Sequence, residues 1–211
     1  MLDLSRLHDA IVDGQEKLSL QLVEEALRAG IDPAGLIHNW MIPAMDEIGR
    51  RFEAQECYLP EIMLAARAMK SALERLRPLL ARLGAQPAGR VVIGTVQGDL
   101  HDIGKNMVSA MLEGAGFDVL DLGIDVSAPR FIEAVGDHKA DILALSALLT
   151  TTMPEMRKTI DALVQAGLRE KVKVIVGGAP VTLDFAEEIG ADGYGANAAA
   201  AVSIARALVR K

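Results

Sequence analysis

The stretch Gly98-Asp-Leu-His-Asp-Ile-Gly-Lys-Asn106 lies between two segments with different apolar patterns. The run at 91–96, Val-Val-Ile-Gly-Thr-Val, is apolar and β-branched, which predicts a buried strand. After the stretch, apolar residues recur at helical spacing: Met107, Val108, Met111 and Leu112. His101 is therefore predicted on a strand-to-helix turn at the carboxyl end of a parallel strand, where open α/β sheets bind their ligands.

The residues around His101 suit a metal-ligating histidine. Asp99 lies two residues before it, so in an extended turn its carboxylate can reach one ring nitrogen and leave the other free in a fixed tautomer. Gly104 lets the backbone pass close to a bulky group. The same residues also fit a surface histidine at a helix start, with Asp102 as the N-cap of a helix that begins at Ile103.

A phosphate-binding loop is the nearest alternative for this stretch. That motif places four residues between its first glycine and Gly-Lys, which Ser or Thr then follows. Here five residues separate Gly98 from Gly104, and Asn106 follows Lys105. The spacing and the missing magnesium-binding hydroxyl exclude a phosphate-binding loop.

The rest of the carboxyl-terminal part alternates between strand and helix patterns. Strands are predicted at about 91–96, 117–121, 141–146, 172–176 and 192–195, with helices between them and a last helix at about 198–209. Such alternation indicates βαβ units and a parallel sheet. Five strands and five helices fit a flavodoxin-like, Rossmann-type order 2-1-3-4-5, whose ligand-binding switch point lies between strands 1 and 3.

The amino-terminal part has the apolar spacing of helices throughout. Stripes begin at Leu4 and Leu18, a third helix opens at Asp32-Pro33 with Pro43 as a kink, and a fourth opens at Leu59. Four helices with short connections predict a small bundle. A short segment without periodicity, 84–89, is the predicted linker. We therefore predict a helical domain at 1–86 and an α/β domain at 87–211.

Composition restricts the class of protein. The chain has 211 residues, a net charge of −7 and 3% aromatic residues, which argues against a nucleic-acid or anionic-membrane partner. The amino terminus lacks the apolar core of a signal peptide, and no apolar run approaches the roughly 18 residues of a membrane span. Cys57 is the single cysteine, so an internal disulfide and a zinc cluster are excluded, and we have no role for it. These features predict a soluble cytoplasmic protein.

Two further motifs follow predicted strands. Ser146-Ala-Leu-Leu-Thr-Thr-Thr152 follows the third strand, and by itself such a tract is usually a turn and a helix cap. Gly177-Gly178 follows the fourth strand and fits a tight strand-to-helix turn, and Gly193-Tyr-Gly195 ends the fifth strand. In a parallel sheet all three tracts lie at the same edge as His101.

The pattern Asp99-x-His101-x-x-Gly104, together with the motifs at Ser146 and Gly177, resembles the cobalamin-binding domains of methionine synthase and of the small corrinoid proteins of methyltransferase systems. The resemblance implies that His101 is the lower axial ligand of cobalt and that Asp99 accepts the proton of its other ring nitrogen. Thr152 stands where methionine synthase has the serine of this relay. The implied cofactor contacts are Tyr58, Asp99, His101, Asp102, Ile103, Gly104, Ser146, Leu148, Thr150, Thr152, Gly177, Gly178 and Gly195.

The same resemblance implies which part of the cofactor each of these residues contacts. Ser146 and Leu148 would line the slot for the displaced dimethylbenzimidazole tail, and the paired glycines would let that tail pass. Tyr58, in the run Tyr-Leu-Pro-Glu-Ile-Met, corresponds to an aromatic residue of the helical cap over the upper corrin face. Trp40 and most methionines of the helices are expected in the bundle core instead, and His8, His38 and His138 are expected to be structural.

The implied function is that of a corrinoid methyl carrier, a non-autonomous component of a cobalamin-dependent methyltransferase system. Cob(I)alamin would accept a methyl group from a methylated substrate through a substrate-specific methyltransferase. A second methyltransferase would pass the group to tetrahydrofolate or coenzyme M, and a reductive activase would be a further partner. His101 would bind and leave cobalt in each cycle, with Asp99 and Thr152 coupling that step to proton uptake.

Three alternatives stay open at this point. The small subunit of an adenosylcobalamin-dependent mutase shares the pattern at Asp99 but lacks the helical cap. A cobalamin-responsive regulator shares cap and cofactor domain but usually adds a DNA-binding domain, and no basic recognition helix is visible. A flavodoxin-like receiver would bind no cobalamin at all. The methyl donor and acceptor, the oligomeric state and the cap residues nearest the corrin are not specified by the residues.

Overall fold

The alternating part of the chain forms a five-stranded parallel sheet in the computed structural model, which describes residues 3–82 and 86–209. The strand order is β2-β1-β3-β4-β5, as predicted. The strands are β1 (Arg90–Thr95), β2 (Asp118–Asp121), β3 (Ile142–Ser146), β4 (Lys173–Gly177) and β5 (Gly193–Gly195). Because β1 lies between β2 and β3, the switch point falls where the sequence places His101.

The strand register brings the three motifs to one edge of the sheet. Thr95 at the end of β1 pairs with Ser146, Ser146 pairs with Gly177, and Gly177 pairs with Gly195. The last residues of β1, β3, β4 and β5 therefore stand in a row. The segments that follow each strand start from this row, so residues about 50 positions apart in the chain meet there.

Helices connect the strands: α6 (Ile103–Gly114), α7 (Ala128–His138), α8 (Met153–Gln165), α9 (Leu183–Glu188) and α10 (Ala198–Val209). Residues Ala88–Ser109 and the chain from Phe117 onward form one compact unit. Its core contains the buried central strands; Val92, Leu143 and Val174 are fully buried. The Phe131 ring of α7 packs on Gly94 of β1, where an added Cβ would lie 2.7 Å from the ring, so this strand position needs glycine.

The chain up to Pro87, together with Ala110–Gly116, forms the second compact unit. Its helices before the sheet are α1 (Ser5–Val12), α2 (Glu16–Arg28), α3 (Pro33–Leu36), α4 (Ile42–Glu53) and α5 (Leu59–Arg82). Asp32 caps α3 as predicted, since its Oδ2 accepts a hydrogen bond from Gly35 N at 2.8 Å. The predicted third helix is interrupted by a π-helical turn at Ile37–Met41, next to Pro43, which has no N–H to donate to the preceding turn.

The core of the helical unit follows the apolar stripes. Met41, Met45 and Met69 are buried as expected, whereas Met63 is half-exposed. Cys57 is buried too, and burial, followed by the nearby Glu61 carboxylate, raises the pKa of its thiol. A thiol held protonated in this way is a packing group.

The predicted domain boundary stays a prediction, and part of the predicted linker at 84–89 lies outside the described residues. Within the described ranges, no helix is both long and apolar enough to cross a membrane.

Candidate functional site

The carboxylate of Asp99 is the centre of the hydrogen-bond network at the edge of the sheet. Its side chain is fully buried, yet it accepts hydrogen bonds at both oxygens. Oδ1 accepts from the backbone N of His101 at 3.1 Å and lies 2.7 Å from His101 Nδ1. Oδ2 accepts from Leu148 N at 2.7 Å, Leu149 N at 3.3 Å and Thr152 Oγ1 at 2.7 Å. One carboxylate thus joins the segment after β1 to the segment after β3.

This network determines the charge of Asp99. Burial by itself raises the pKa of the carboxyl group, because it penalises the charged form. The hydrogen bonds from Leu148 N, Thr152 and His101 outweigh burial, so the pKa of Asp99 lies well below its ordinary value. The carboxylate is therefore ionised in the folded protein at neutral pH and acts only as an acceptor.

His101 is held by this carboxylate in one tautomer. Nδ1 donates to Asp99, since an ionised carboxylate has no proton to give, and Nε2 then carries the lone pair. Nε2 has no hydrogen-bond partner among residues 3–82 and 86–209, and the side chain is 50% exposed. The backbone is held as well, because Thr95 Oγ1 donates to the His101 carbonyl at 2.8 Å. The result is an exposed ring nitrogen with a fixed orientation.

Thr152, predicted at the relay position, is buried and contacts Asp99 directly. Its hydroxyl lies 2.7 Å from Asp99 Oδ2 and 2.9 Å from the Leu149 carbonyl oxygen, so its single proton can serve one of these acceptors at a time. The resulting order of contacts is Thr152, Asp99, His101, as the predicted relay requires.

Exposed apolar side chains lie on the segments that meet at the His101 turn. Leu100 and Ile103 are 67% and 65% exposed, although apolar side chains of this size are normally buried. Further half-exposed apolar residues come from the segments after β2 and β3: Ile124, Leu148 and Leu149. Sequence reasoning missed Leu100, Ile124 and Leu149; the available signal was an apolar residue on each side of His101 within an otherwise polar stretch. Such a cluster around a free ring nitrogen suits a large, flat, apolar ligand that carries a metal.

The predicted glycines differ in how much room the structure leaves for an added Cβ atom. An added Cβ at Gly104 would meet no described atom within 4 Å beyond its own helix and chain neighbours. At Gly178, with φ +135°, the Cβ would collide with the Ala147 carbonyl, whose carbon would be 2.8 Å away. At Gly177 it would lie 2.9 Å from Gly195 O, and at Gly195 it would lie 3.0 Å from Ala201 Cβ. The chain itself requires glycine at Gly177 and Gly178 and leaves little room at Gly195, whereas no described atom occupies the space at Gly104.

The structure places the remaining predicted contacts as follows. Ser146 ends β3 beside Thr95, and Thr150 is exposed in the segment after it. Asp102 is exposed directly before α6, and its Oδ2 accepts from the Asn106 side-chain amide at 3.1 Å. Tyr58 belongs to the helical unit, where it precedes α5 and is 68% exposed.

The ligand set available to a metal is small. No group of three or more His, Cys, Asp or Glu side chains within the described ranges could hold a metal ion. His101 alone would supply one nitrogen. A cofactor that brings its own metal, such as a tetrapyrrole-like macrocycle, would need only this one ligand from the chain.

The chain is similar to known B12-binding and corrinoid proteins. Two sequence profiles, each described as a B12 binding domain, match residues 89–203 and 4–77. Trimethylamine corrinoid protein 1 of Methanosarcina acetivorans is 44% identical over 208 residues, which cover 98% of this chain and 96% of that protein. Dimethylamine corrinoid protein 1 of the same organism is 43% identical over 207 residues, covering 98% and 97%.

Solved structures are similar over nearly the whole chain. The methanol:cobalamin methyltransferase complex MtaBC of Methanosarcina barkeri matches with a TM-score of 0.87 and 34% identity, over 98% of this chain and 79% of that chain. A cobalamin-binding protein of Desulfitobacterium hafniense matches with a TM-score of 0.81 and 33% identity, over 99% of both chains.

Proposed function

The chain belongs to the B12-binding corrinoid proteins, and on that premise we propose that it is the methyl carrier of a cobalamin-dependent methyltransferase system. The observation that carries the proposal is the free, oriented Nε2 of His101 among exposed apolar side chains. His101 would hold cobalt through this nitrogen, and the apolar side chains would contact the corrin ring.

The residues present fit a corrinoid. Leu100, Ile103 and Leu148 would contact the ring, and the open space at Gly104 would let the ring approach the helix start. Ser146, Gly177 and Gly178 are the proposed lining of the slot for the nucleotide tail. Their neighbouring places in adjacent strands support this assignment.

The cofactor, when bound, supplies a cobalt centre that accepts a methyl group and releases it again. The chain's own residues orient and tune that centre. Asp99 keeps the proton of His101 on Nδ1 and fixes the direction of Nε2, and Thr152 and the amide of Leu148 hold Asp99 in its turn. Tyr58 and its neighbours in α5 are the proposed cover that excludes water from the methylated face.

The relatives indicate the kind of methyl donor. The two named above are trimethylamine and dimethylamine corrinoid proteins, and MtaBC is a complex with a methanol-specific methyltransferase. We propose that a substrate-specific methyltransferase for a methylated amine or alcohol charges this chain. A second methyltransferase would transfer the group to tetrahydrofolate or coenzyme M, with a reductive activase as a third partner. The similarity to methylamine corrinoid proteins over nearly the full chain favours a carrier over a mutase subunit or a regulator.

Replacing His101 by Ala tests the proposal. We expect His101→Ala to lose the lower axial nitrogen ligand and to slow methyl transfer at least tenfold. The measurement is electron paramagnetic resonance of protein loaded with cob(II)alamin, prepared with and without imidazole-labelled [¹⁵N]histidine. In the wild type the hyperfine pattern should change from ¹⁴N to ¹⁵N on labelling.

The control for this experiment is His138→Ala, because His138 lies at the end of α7 and contacts the backbone of Asp118 instead. It should keep the labelled pattern. If labelling changes nothing in wild-type protein that binds cobalamin, the tail base is still coordinated and His101 is not the ligand.

Substitution of Gly104 separates folding from cofactor binding. Gly104→Leu places a side chain in open space in the first turn of α6, so the free energy of unfolding should stay within about 0.5 kcal/mol of wild type. Cobalamin affinity should fall at least tenfold, on the order expected for a bulky side chain in a ligand's path. Urea unfolding of the apoprotein and cobalamin titration would measure the two effects. Unchanged affinity would mean that the ring does not approach this turn.

A further inference from the structure

The segment from Asp121, the last residue of β2, to Val126 is bound firmly to the end of β1. We call this segment the β2–α7 loop. Leu122 N donates to Ile93 O at 2.8 Å, and Thr95 N donates to Gly123 O at 2.9 Å. Val126 N then donates to Thr95 O at 3.0 Å. These backbone hydrogen bonds continue the pairing of β1 and β2 beyond the last residue of β2. The β2–α7 loop is therefore a fixed part of the sheet edge.

Asp125 in this loop makes a reciprocal pair of hydrogen bonds with the stretch that precedes His101. Its backbone N donates to Asp99 O at 3.0 Å, and its Oδ1 accepts from Gly98 N at 2.7 Å. Asp125 has φ +53°, a left-handed conformation that Asp and Asn tolerate better than most residues. One residue thus holds the entry of the His101 turn through both its backbone and its side chain.

The other end of the β2–α7 loop holds the stretch that follows His101. The ammonium group of Lys105 forms an ion pair with Asp121 and lies 2.6 Å from Asn106 Oδ1. The Lys105 side chain is 1% exposed, although it sits in the first turn of α6, where the helix dipole disfavours a cation. The Asp121 carboxylate compensates for this, and its other oxygen accepts from Gly123 N at 2.8 Å.

Two carboxylates of one loop therefore hold both flanks of the His101 turn. The His101 side chain is half-exposed, and the Thr95 hydroxyl donates a hydrogen bond to the His101 carbonyl oxygen. We infer that the β2–α7 loop is a positioning element for His101, with Asp125 as the residue that keeps the turn in its ligating conformation. This inference rests on the proposed function. If His101 dissociates from the metal and binds it again, a turn that is already held in its ligating conformation loses no further conformational entropy on binding.

The test compares two substitutions of Asp125. Asp125→Gly accepts the left-handed backbone but removes the acceptor for Gly98 N, and Asp125→Asn keeps both. In protein loaded with cob(II)alamin, the equilibrium constant for histidine coordination should fall about tenfold in Asp125→Gly and stay within about twofold in Asp125→Asn. Electron paramagnetic resonance with [¹⁵N]histidine labelling measures the coordinated fraction.

A second measurement needs no cofactor. Amide hydrogen exchange of Gly98 in the apoprotein should be faster in Asp125→Gly than in the wild type, and unchanged in Asp125→Asn. Asp125→Ala is a second acceptor-free variant should the glycine variant fold poorly. It should also raise the exchange rate of the Gly98 amide, with a further loss of stability because alanine is strained at φ +53°.

The outcomes distinguish this inference from the proposed function. If the wild type shows no histidine coordination, the proposed ligand is wrong. If the wild type coordinates and the acceptor-free variants coordinate equally well, the positioning role of Asp125 is overturned. If Asp125→Asn loses coordination as Asp125→Gly does, the acceptor on Gly98 N is not the cause, and the positioning role is again overturned.

Discussion

Replacing Asp99 by Asn is expected to lower the free energy of unfolding at neutral pH by about 3 kcal/mol, since it leaves buried donors facing an amide nitrogen. In either orientation, the new NH₂ group meets donors. It faces His101 on one side, or the amides of Leu148 and Leu149 and the Thr152 hydroxyl on the other. Urea unfolding of the apoprotein measures the loss.

The destabilisation by Asp99→Asn is expected to depend on pH. Because the folded-state pKa of Asp99 lies below its unfolded-state value of about 3.9, its ionised form contributes fully above that pH. As the pH falls below about 4, the stabilisation of the wild type by ionised Asp99 decreases by up to about 1.4 kcal/mol per pH unit. The Asn variant has no such contribution to lose. The difference in stability between the two proteins should therefore narrow in acid. A difference that stays constant down to about pH 3 would contradict the ionised network.

Asp102→Asn is the matched control, because Asp102 is exposed and its carboxylate accepts from one side-chain amide. Its effect should stay within about 0.5 kcal/mol.

Replacing Gly178 by Ala is expected to destabilise the apoprotein by at least about 3 kcal/mol, or to prevent folding. Two costs add here. The backbone has φ +135°, which L side chains rarely adopt, and the added Cβ would collide with the Ala147 carbonyl of the neighbouring segment. That segment can retreat only by breaking the pairing of Ala147 N with Gly177 O at 3.2 Å. Thermal or urea unfolding of the apoprotein measures the effect.

Gly167→Ala is the matched control for this experiment. Gly167 has φ +66°, and no described atom beyond its chain neighbours lies within 4 Å of its added Cβ, so only backbone strain of about 1 kcal/mol is expected. Equal effects of the two substitutions would mean that the contact with Ala147 is not rigid. A larger effect at Gly178 in apoprotein would show that the fold, and not only a ligand, demands glycine there.

The local sequence pattern was sufficient to predict the architecture of the fold. β-Branched runs alternating with helical stripes predicted the strand order, because parallel strands joined by helices allow few right-handed arrangements. Asp32-Pro33 predicted a helix start that the structure confirms, since capping depends on neighbours in the chain. The interruption at Ile37–Met41 was not predicted in its detail, because a π-helical turn depends on how the flanking helices pack.

The sequence by itself determined the chemistry at one point: a histidine with a carboxylate two residues before it, at the end of a buried strand. The tertiary structure decided what that carboxylate does. Its donors Leu148 and Thr152 lie about 50 residues further on, and strand pairing of β1 with β3 brings them to it. The same holds for Gly178, whose need for glycine comes from Ala147, the residue that follows the neighbouring strand β3. Periodicity and caps depend on near neighbours in the chain, whereas hydrogen-bond partners across a sheet depend on register, which only the folded chain establishes.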